Sequence, residues 1–206
     1  MRIGVFGGSF DPIHFGHLLV AEQCREQAKL DKVLFVPAAQ SPLKESSPTA
    51  SDRQRIEMVS LAIAGHSSFE ISTIEIDRGD KSYTVETLTQ LKKERPDDQL
   101  FLIIGQDSLQ TFDRWKEPKK ICELATPLVV ARPDSENTES VDLNLLKPFT
   151  SDSMFEELTS LAIAARLIDI SSTDIRRRIG DGNSIRFLTT RSVEKYIETA
   201  KLYQVK

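Results

Sequence analysis

Basic residues do not outnumber acidic ones in this chain: 27 Lys and Arg against 31 Asp and Glu leave a formal charge of −4. A general nucleic-acid binder presents a net basic surface, so that class is disfavoured, although a local basic cluster for a small anion is not. Cysteine is scarce as well. Cys24 and Cys122 are too few for a disulfide framework and stand in no metal-ligand spacing, so both read as small buried hydrophobes. Nine glycines and nine prolines in 206 residues rule out a low-complexity or collagen-like chain. Long apolar runs are missing too. The run at residues 3–6 stops at two glycines, which fits neither a signal peptide nor a membrane anchor, so the expected compartment is the cytoplasm.

What is present is an alternation of short apolar runs and helical periods. Residues 2–6 predict a strand, 18–30 a helix, 32–36 a second strand and 52–64 a second helix with Ile56, Val59, Leu61 and Ile63 inward. Residues 69–76 alternate apolar and polar side chains, as a half-exposed strand would. A helix over 84–94 ends at Arg95-Pro96, and the continuous apolar runs 100–104, 127–131 and 167–170 suit buried parallel strands. Strands separated by crossover helices imply βαβ units. The expected fold is therefore α/β: a Rossmann-like, doubly wound parallel sheet with helices on both faces and a small C-terminal helical part over about 171–206, all in one domain, 1–206. Residues 132–152 are polar, lack a period and read as a long surface excursion.

In such a sheet, ligands bind beyond the carboxyl ends of the strands, against helix N-termini. The first strand runs into Gly7-Gly8-Ser9-Phe10-Asp11-Pro12-Ile13-His14-Phe15-Gly16-His17. It is neither the dinucleotide fingerprint nor a P-loop. The glycines permit a sharp turn and close approach of a ligand. His14 and His17, three apart at a helix start, share a face, so both imidazoles can address one phosphate chain. Zinc is the competing reading. It needs further ligands, and the remaining histidine, His66, has no nearby partner in sequence.

Residues 170–176, Ile-Ser-Ser-Thr-Asp-Ile-Arg, form a second anion-binding candidate. Ser171 and Asp174 fit a capping box, and Arg176 lies one turn into the helix; Arg177 and Arg178 read as a solvated face. In Gly105-Gln-Asp107-Ser108, Asp107 is either a ribose ligand or a plain helix cap. Trp115, among charged neighbours, belongs at a rim where it can stack on a flat heteroaromatic ring.

His14-Phe15-Gly16-His17 resembles the [T/H]-x-G-H signature of the nucleotidyltransferase superfamily, and residues 7–17 resemble the form found in bacterial nicotinate-nucleotide adenylyltransferases. Residues 170–176 are similar to that superfamily's second motif. The resemblance runs from residue 1 to about 130 and resumes from 167. It implies transfer of AMP from ATP to nicotinate mononucleotide, with Mg²⁺ accompanying ATP. It further implies that His14, His17, Lys44 and Arg176 carry the chemistry. Gly7, Gly8, Ser9, Phe10, Gly16, Asp107, Ser172 and Thr173 would bind ATP. Ser82, Tyr83, Thr84 and Trp115 would bind the mononucleotide. No resident metal site, nucleic acid or membrane is implied, and a homo-oligomer stays open. One departure is Leu43, before Lys44, where the family often has histidine; Arg55 falls where the family tends to have arginine. Nicotinamide mononucleotide, another acceptor such as phosphopantetheine, or a non-catalytic nucleotide sensor remain as alternatives.

Overall fold

The computed structural model describes residues 1–40, 48–130, 142–161, 163 and 168–204. Five strands, β1 (Arg2–Gly8), β2 (Lys32–Pro37), β3 (Phe69–Ile71), β4 (Gln99–Gly105) and β5 (Thr126–Val130), form one sheet in the order β3-β2-β1-β4-β5. All pairings are parallel, with Val5 beside Leu34 on one side and Leu102 on the other. The chain moves outward from β1 to β3, then returns to place β4 beside β1. That reversal opens a crevice at the carboxyl ends of β1 and β4, where a doubly wound sheet takes its ligand.

Nine helices accompany the strands: α1 (Phe15–Gln27), α2 (Asp52–Ile63), α3 (Ile74–Arg78), α4 (Thr84–Glu94), α5 (Gln106–Leu109), α6 (Pro118–Leu124), α7 (Asp152–Ser160), α8 (Ser172–Gly180) and α9 (Arg191–Thr199), among the described residues. Because side chains alternate along a strand, the sheet feeds two cores. Val33, Phe35, Phe101 and Ile103 meet Cys24, Met58, Ile175 and Val193 from α1, α2, α8 and α9. Leu34, Val36, Leu100 and Leu102 meet Val85, Leu88, Ile121 and Leu158 from α4, α6 and α7. Both cysteines are buried, and burial raises each thiol to about 12.

Several expectations change. The strand expected over 69–76 ends at Ile71, and Ile74 opens the one-turn helix α3, closed by Gly79 in the left-handed conformation. A five-residue helix burying adjacent residues Ile74 and Glu75 is too short to show its period. In α2 the buried stripe is Arg55, Met58, Val59 and Ile63, so Leu61 faces solvent. Residues 168–170 carry no strand; an isolated bridge from Val130 to Ile163 lies beside β5 instead. Part of the supposed excursion is packed, since the 3₁₀ segment Leu143–Phe149 buries Leu146 completely. The run at 127–131 ends at Val130 within the described residues.

Candidate active site

The end of β1 and the start of α1 build a donor surface. His14 occupies the N-cap position of α1, and its backbone N–H donates to Nδ1 of His17 at 3.3 Å. The two rings stack with centroids 3.7 Å apart. Since Nδ1 of His17 accepts, a neutral His17 carries its proton on Nε2. His14 is nearly enclosed, and burial lowers its pKa to about 4. Its Nδ1 has no partner among the described residues. Gly16 makes the stacking possible, because a Cβ there would lie 3.0 Å from that nitrogen.

The neighbouring glycine at position 8 has a different reason. A Cβ on Gly8 would come within 2.9 Å of the Phe10 ring, which is buried beneath His17 with centroids 5.1 Å apart. Phe10 adopts a φ of 45°, in the region L-residues avoid, and sits in the core instead of lining the site. Its side chain therefore supports the imidazole from below. Arg55 supports the same loop. It is fully buried, donates to the Ser9 carbonyl at 2.8 Å and pairs with Asp52 at 2.5 Å.

The second motif meets the first directly. Arg176 Nη1 donates to the Asp11 carbonyl at 2.7 Å, and Ser172 Oγ donates to the Pro12 carbonyl at 2.9 Å. Thr173 Oγ1 accepts from Arg176 Nη2 at 3.3 Å. Ser171 caps α8 by accepting from the Asp174 N–H. Arg177 pairs with Asp174, and Arg178 holds the Ser184 carbonyl, so Arg178 ties down a turn instead of merely facing solvent.

Beyond the imidazoles lies a cavity of about 660 Å³, lined by Gly7, Gly8, Ser9, Gly105, Asp107, Ser82, Tyr83, Thr84 and Trp115. The His14–His17–Arg176 cluster lies outside this lining. It joins the cavity through Phe6, which lines it and meets the His17 ring edge-on at 6.1 Å. Also along this cavity, α4 starts at Thr84 with no side chain capping it, the kind of helix start at which backbone N–H groups can take an anion. Ser82 is buried, and its Oγ accepts the Ala39 N–H at 2.9 Å, which fastens this helix start to the end of β2. Trp115 is half-buried against Phe112, with centroids 5.3 Å apart, and its Nε1 finds no acceptor among the described residues. Lys116 Nζ sits 4.5 Å above the Tyr83 ring and donates to Glu86 at 2.6 Å. Lys44 and Leu43 lie outside the described residues.

The donor set suits phosphate oxygens: two imidazoles and a guanidinium offer hydrogens, not lone-pair clusters. Among the described residues no group of three His, Cys, Asp or Glu is placed to hold a metal ion. His66, without a partner in the sequence reading, stacks on Phe69 and lies 3.2 Å from Glu22. No helix among the described residues is long and apolar enough to cross a membrane.

Residues 5–178 match the cytidylyltransferase-like family. Relatives named "Probable nicotinate-nucleotide adenylyltransferase" include one from Thermus thermophilus, 43% identical over 204 residues, covering 99% of this chain and 100% of its own. Another, from Rhodopirellula baltica, is 41% identical over 204 residues, 99% of this chain and 94% of its own. The chain belongs to the nicotinate-nucleotide adenylyltransferase family. Among solved structures, the Plasmodium falciparum nicotinic acid mononucleotide adenylyltransferase complexed with NaAD has a TM-score of 0.72 at 19% identity, covering 98% of this chain and 97% of that one. That likeness carries the fold.

Within this family member, three residues that matter to the site escape sequence reasoning, Asp11, Glu75 and Tyr203, while Arg55 was met there only as a position where the family tends to have arginine. Arg55 had a legible signal, since Arg55, Met58, Val59 and Ile63 share one face at helical spacing. Glu75 lines the cavity and accepts from Thr87 Oγ1 at 2.6 Å, but α3 was hidden inside a supposed strand. Asp11 and Tyr203 meet across 192 positions, which no local pattern encodes.

Proposed function

We propose that this protein transfers the adenylyl group of ATP to nicotinate mononucleotide, giving nicotinate adenine dinucleotide and pyrophosphate. The observation that carries this reading is a donor cluster set beside a cavity of different character. A cluster of imidazoles and a guanidinium suits a polyphosphate, while an uncapped helix start beside a half-buried tryptophan suits a flat ring bearing a carboxylate. The full-length relatives support the same reaction.

Mg²⁺ accompanying ATP would be held by the nucleotide's own phosphate oxygens and would supply neutralisation of the polyphosphate charge. The nucleophile is the mononucleotide's phosphate, already anionic because a monoester's second pKa is about 6. One of its oxygens attacks the α-phosphorus, and the bond from that phosphorus to the bridging oxygen of the β-phosphate breaks. No base on the protein is required. The chain's contribution is in-line placement and stabilisation of charge growing on pyrophosphate. His17 Nε2–H and the unengaged guanidinium hydrogens of Arg176 are assigned to that charge, with His14 behind His17 and Lys44 assigned by resemblance. Gly7, Gly8, Ser9 and Gly16 admit the phosphates, while Ser172 and Thr173 set the Arg176 end. Asp107, exposed on α5 and lining the cavity, is assigned to the ribose. Trp115 stacks on the pyridine, and Tyr83 and Thr84 present the α4 start to its carboxylate.

Mixing ATP, Mg²⁺ and nicotinate mononucleotide with the protein is expected to release pyrophosphate in step with dinucleotide. Absence of both products rejects the proposal.

A further inference from the structure

The carboxylate of Asp11 lies at a junction that phosphate binding alone does not explain. It is 3% exposed, yet it accepts the backbone N–H of Thr49 at 2.7 Å and of Ala50 at 3.1 Å, together with the Tyr203 hydroxyl at 2.7 Å. Burial and the adjacent negative charge push the Tyr203 hydroxyl pKa upward, which keeps it a donor. Arg176 Nη1 binds the carbonyl of the same aspartate at 2.7 Å and stands 3.8 Å from its carboxylate. The carboxylate is thus chiefly occupied by other donors. It attracts the guanidinium without closing on it, which leaves the remaining hydrogens of Arg176 for a ligand.

The same stretch is clamped along its length by the C-terminal part of the chain. Ser172 binds the Pro12 carbonyl, Thr189 binds the Ile13 carbonyl at 2.8 Å, and the Phe15 N–H donates to Leu188 at 3.1 Å. These bonds hold the backbone of residues 12–15, which carries His14 and leads into His17, without help from the Asp11 carboxylate.

We infer that Asp11 is a positioning residue for adenylyl transfer: with Tyr203 behind it, it sets Arg176 against the polyphosphate and is itself not a ligand. This rests on the reading of Arg176 as a phosphate-binding group. Losing a buried hydrogen-bonded charge changes a rate by on the order of 10- to 100-fold when the effect falls on the transition state.

The test is a double-mutant cycle on kcat, with KM for the mononucleotide measured alongside. Asp11→Asn is expected to lower kcat by about 10- to 100-fold, with little change in mononucleotide KM. In an Arg176→Ala background, the same change is expected to cost less than about 2-fold, because the group it acts through is gone. A full, multiplicative loss in that background overturns the inference and makes Asp11 a general scaffold residue. An Arg176→Ala variant with unaltered turnover overturns it as well, but by refuting the role of Arg176 itself. Should Asp11→Asn not fold, Tyr203→Phe carries the same cycle. It removes only the hydroxyl and is expected to slow the wild-type background by a few-fold and the Arg176→Ala background not at all. Equal slowing in both backgrounds contradicts the inference.

Discussion

His14 and His17 stack at 3.7 Å while the backbone N–H of the first donates to Nδ1 of the second. The contact fixes both the orientation of His17 and the nitrogen that carries its proton. His17→Ala is therefore expected to lower kcat by roughly 10²–10³-fold, the cost of removing one preorganised donor from a transition state. Circular dichroism and thermal unfolding are expected to stay close to those of the parent. Near-normal turnover in this variant contradicts the phosphate grip.

Burial of His14 has a consequence for acid stability. Its pKa is lowered from 6.5 in the unfolded chain to about 4, so between these values the unfolded state binds more protons. Stability is complete above about pH 6.5 and falls as pH drops toward 4, by up to about 3 kcal/mol from this group. In His14→Asn, chemical denaturation over pH 4.5–7 is expected to show a shallower acid slope than the parent. An unchanged slope removes His14 as its source.

Arg55 is the group under the Gly8-Ser9 turn. Arg55→Met keeps the apolar stem but takes the Arg55 donor from the half-buried Ser9 carbonyl. A loss of about 2–4 kcal/mol is expected in urea unfolding, with activity falling through displacement of Ser9 and Phe10. A variant as stable as the parent would show that the guanidinium is replaceable packing.

How much of this was legible in the sequence varies with the range of the interactions. The sheet and its crossovers followed from runs such as 100–104, because burial on both faces demands continuous apolar residues. His14, Gly16 and His17 were legible because their geometry is set within one helical turn. For Phe10, its neighbours identified the loop, but only the packed structure shows its ring under His17. The meeting of Arg176 with Asp11 was invisible for the opposite reason. The two residues are 165 positions apart and contact each other only once α8 is folded against the loop that follows β1.

Trp115 is the residue proposed to act on the mononucleotide alone. It packs on Phe112 and lines the cavity beside Tyr83 and Thr84, so Trp115→Ala is expected to raise KM for the mononucleotide by about 10-fold or more, the worth of one stacking contact. KM for ATP is expected to stay within about 2-fold. An effect confined to ATP contradicts the assignment of the ring.

The uncapped start of α4 is proposed to distinguish a carboxylate from a carboxamide, since helix N-terminal N–H groups and the helix dipole favour negative charge. The most direct measurement is kcat/KM for nicotinate mononucleotide against nicotinamide mononucleotide, with MgATP saturating. A charge-assisted hydrogen bond is stronger than a neutral one by about 1.5 kcal/mol or more, so the acid is expected to be preferred by at least about 10-fold. Equal efficiency, or preference for the amide, would contradict the account at its centre.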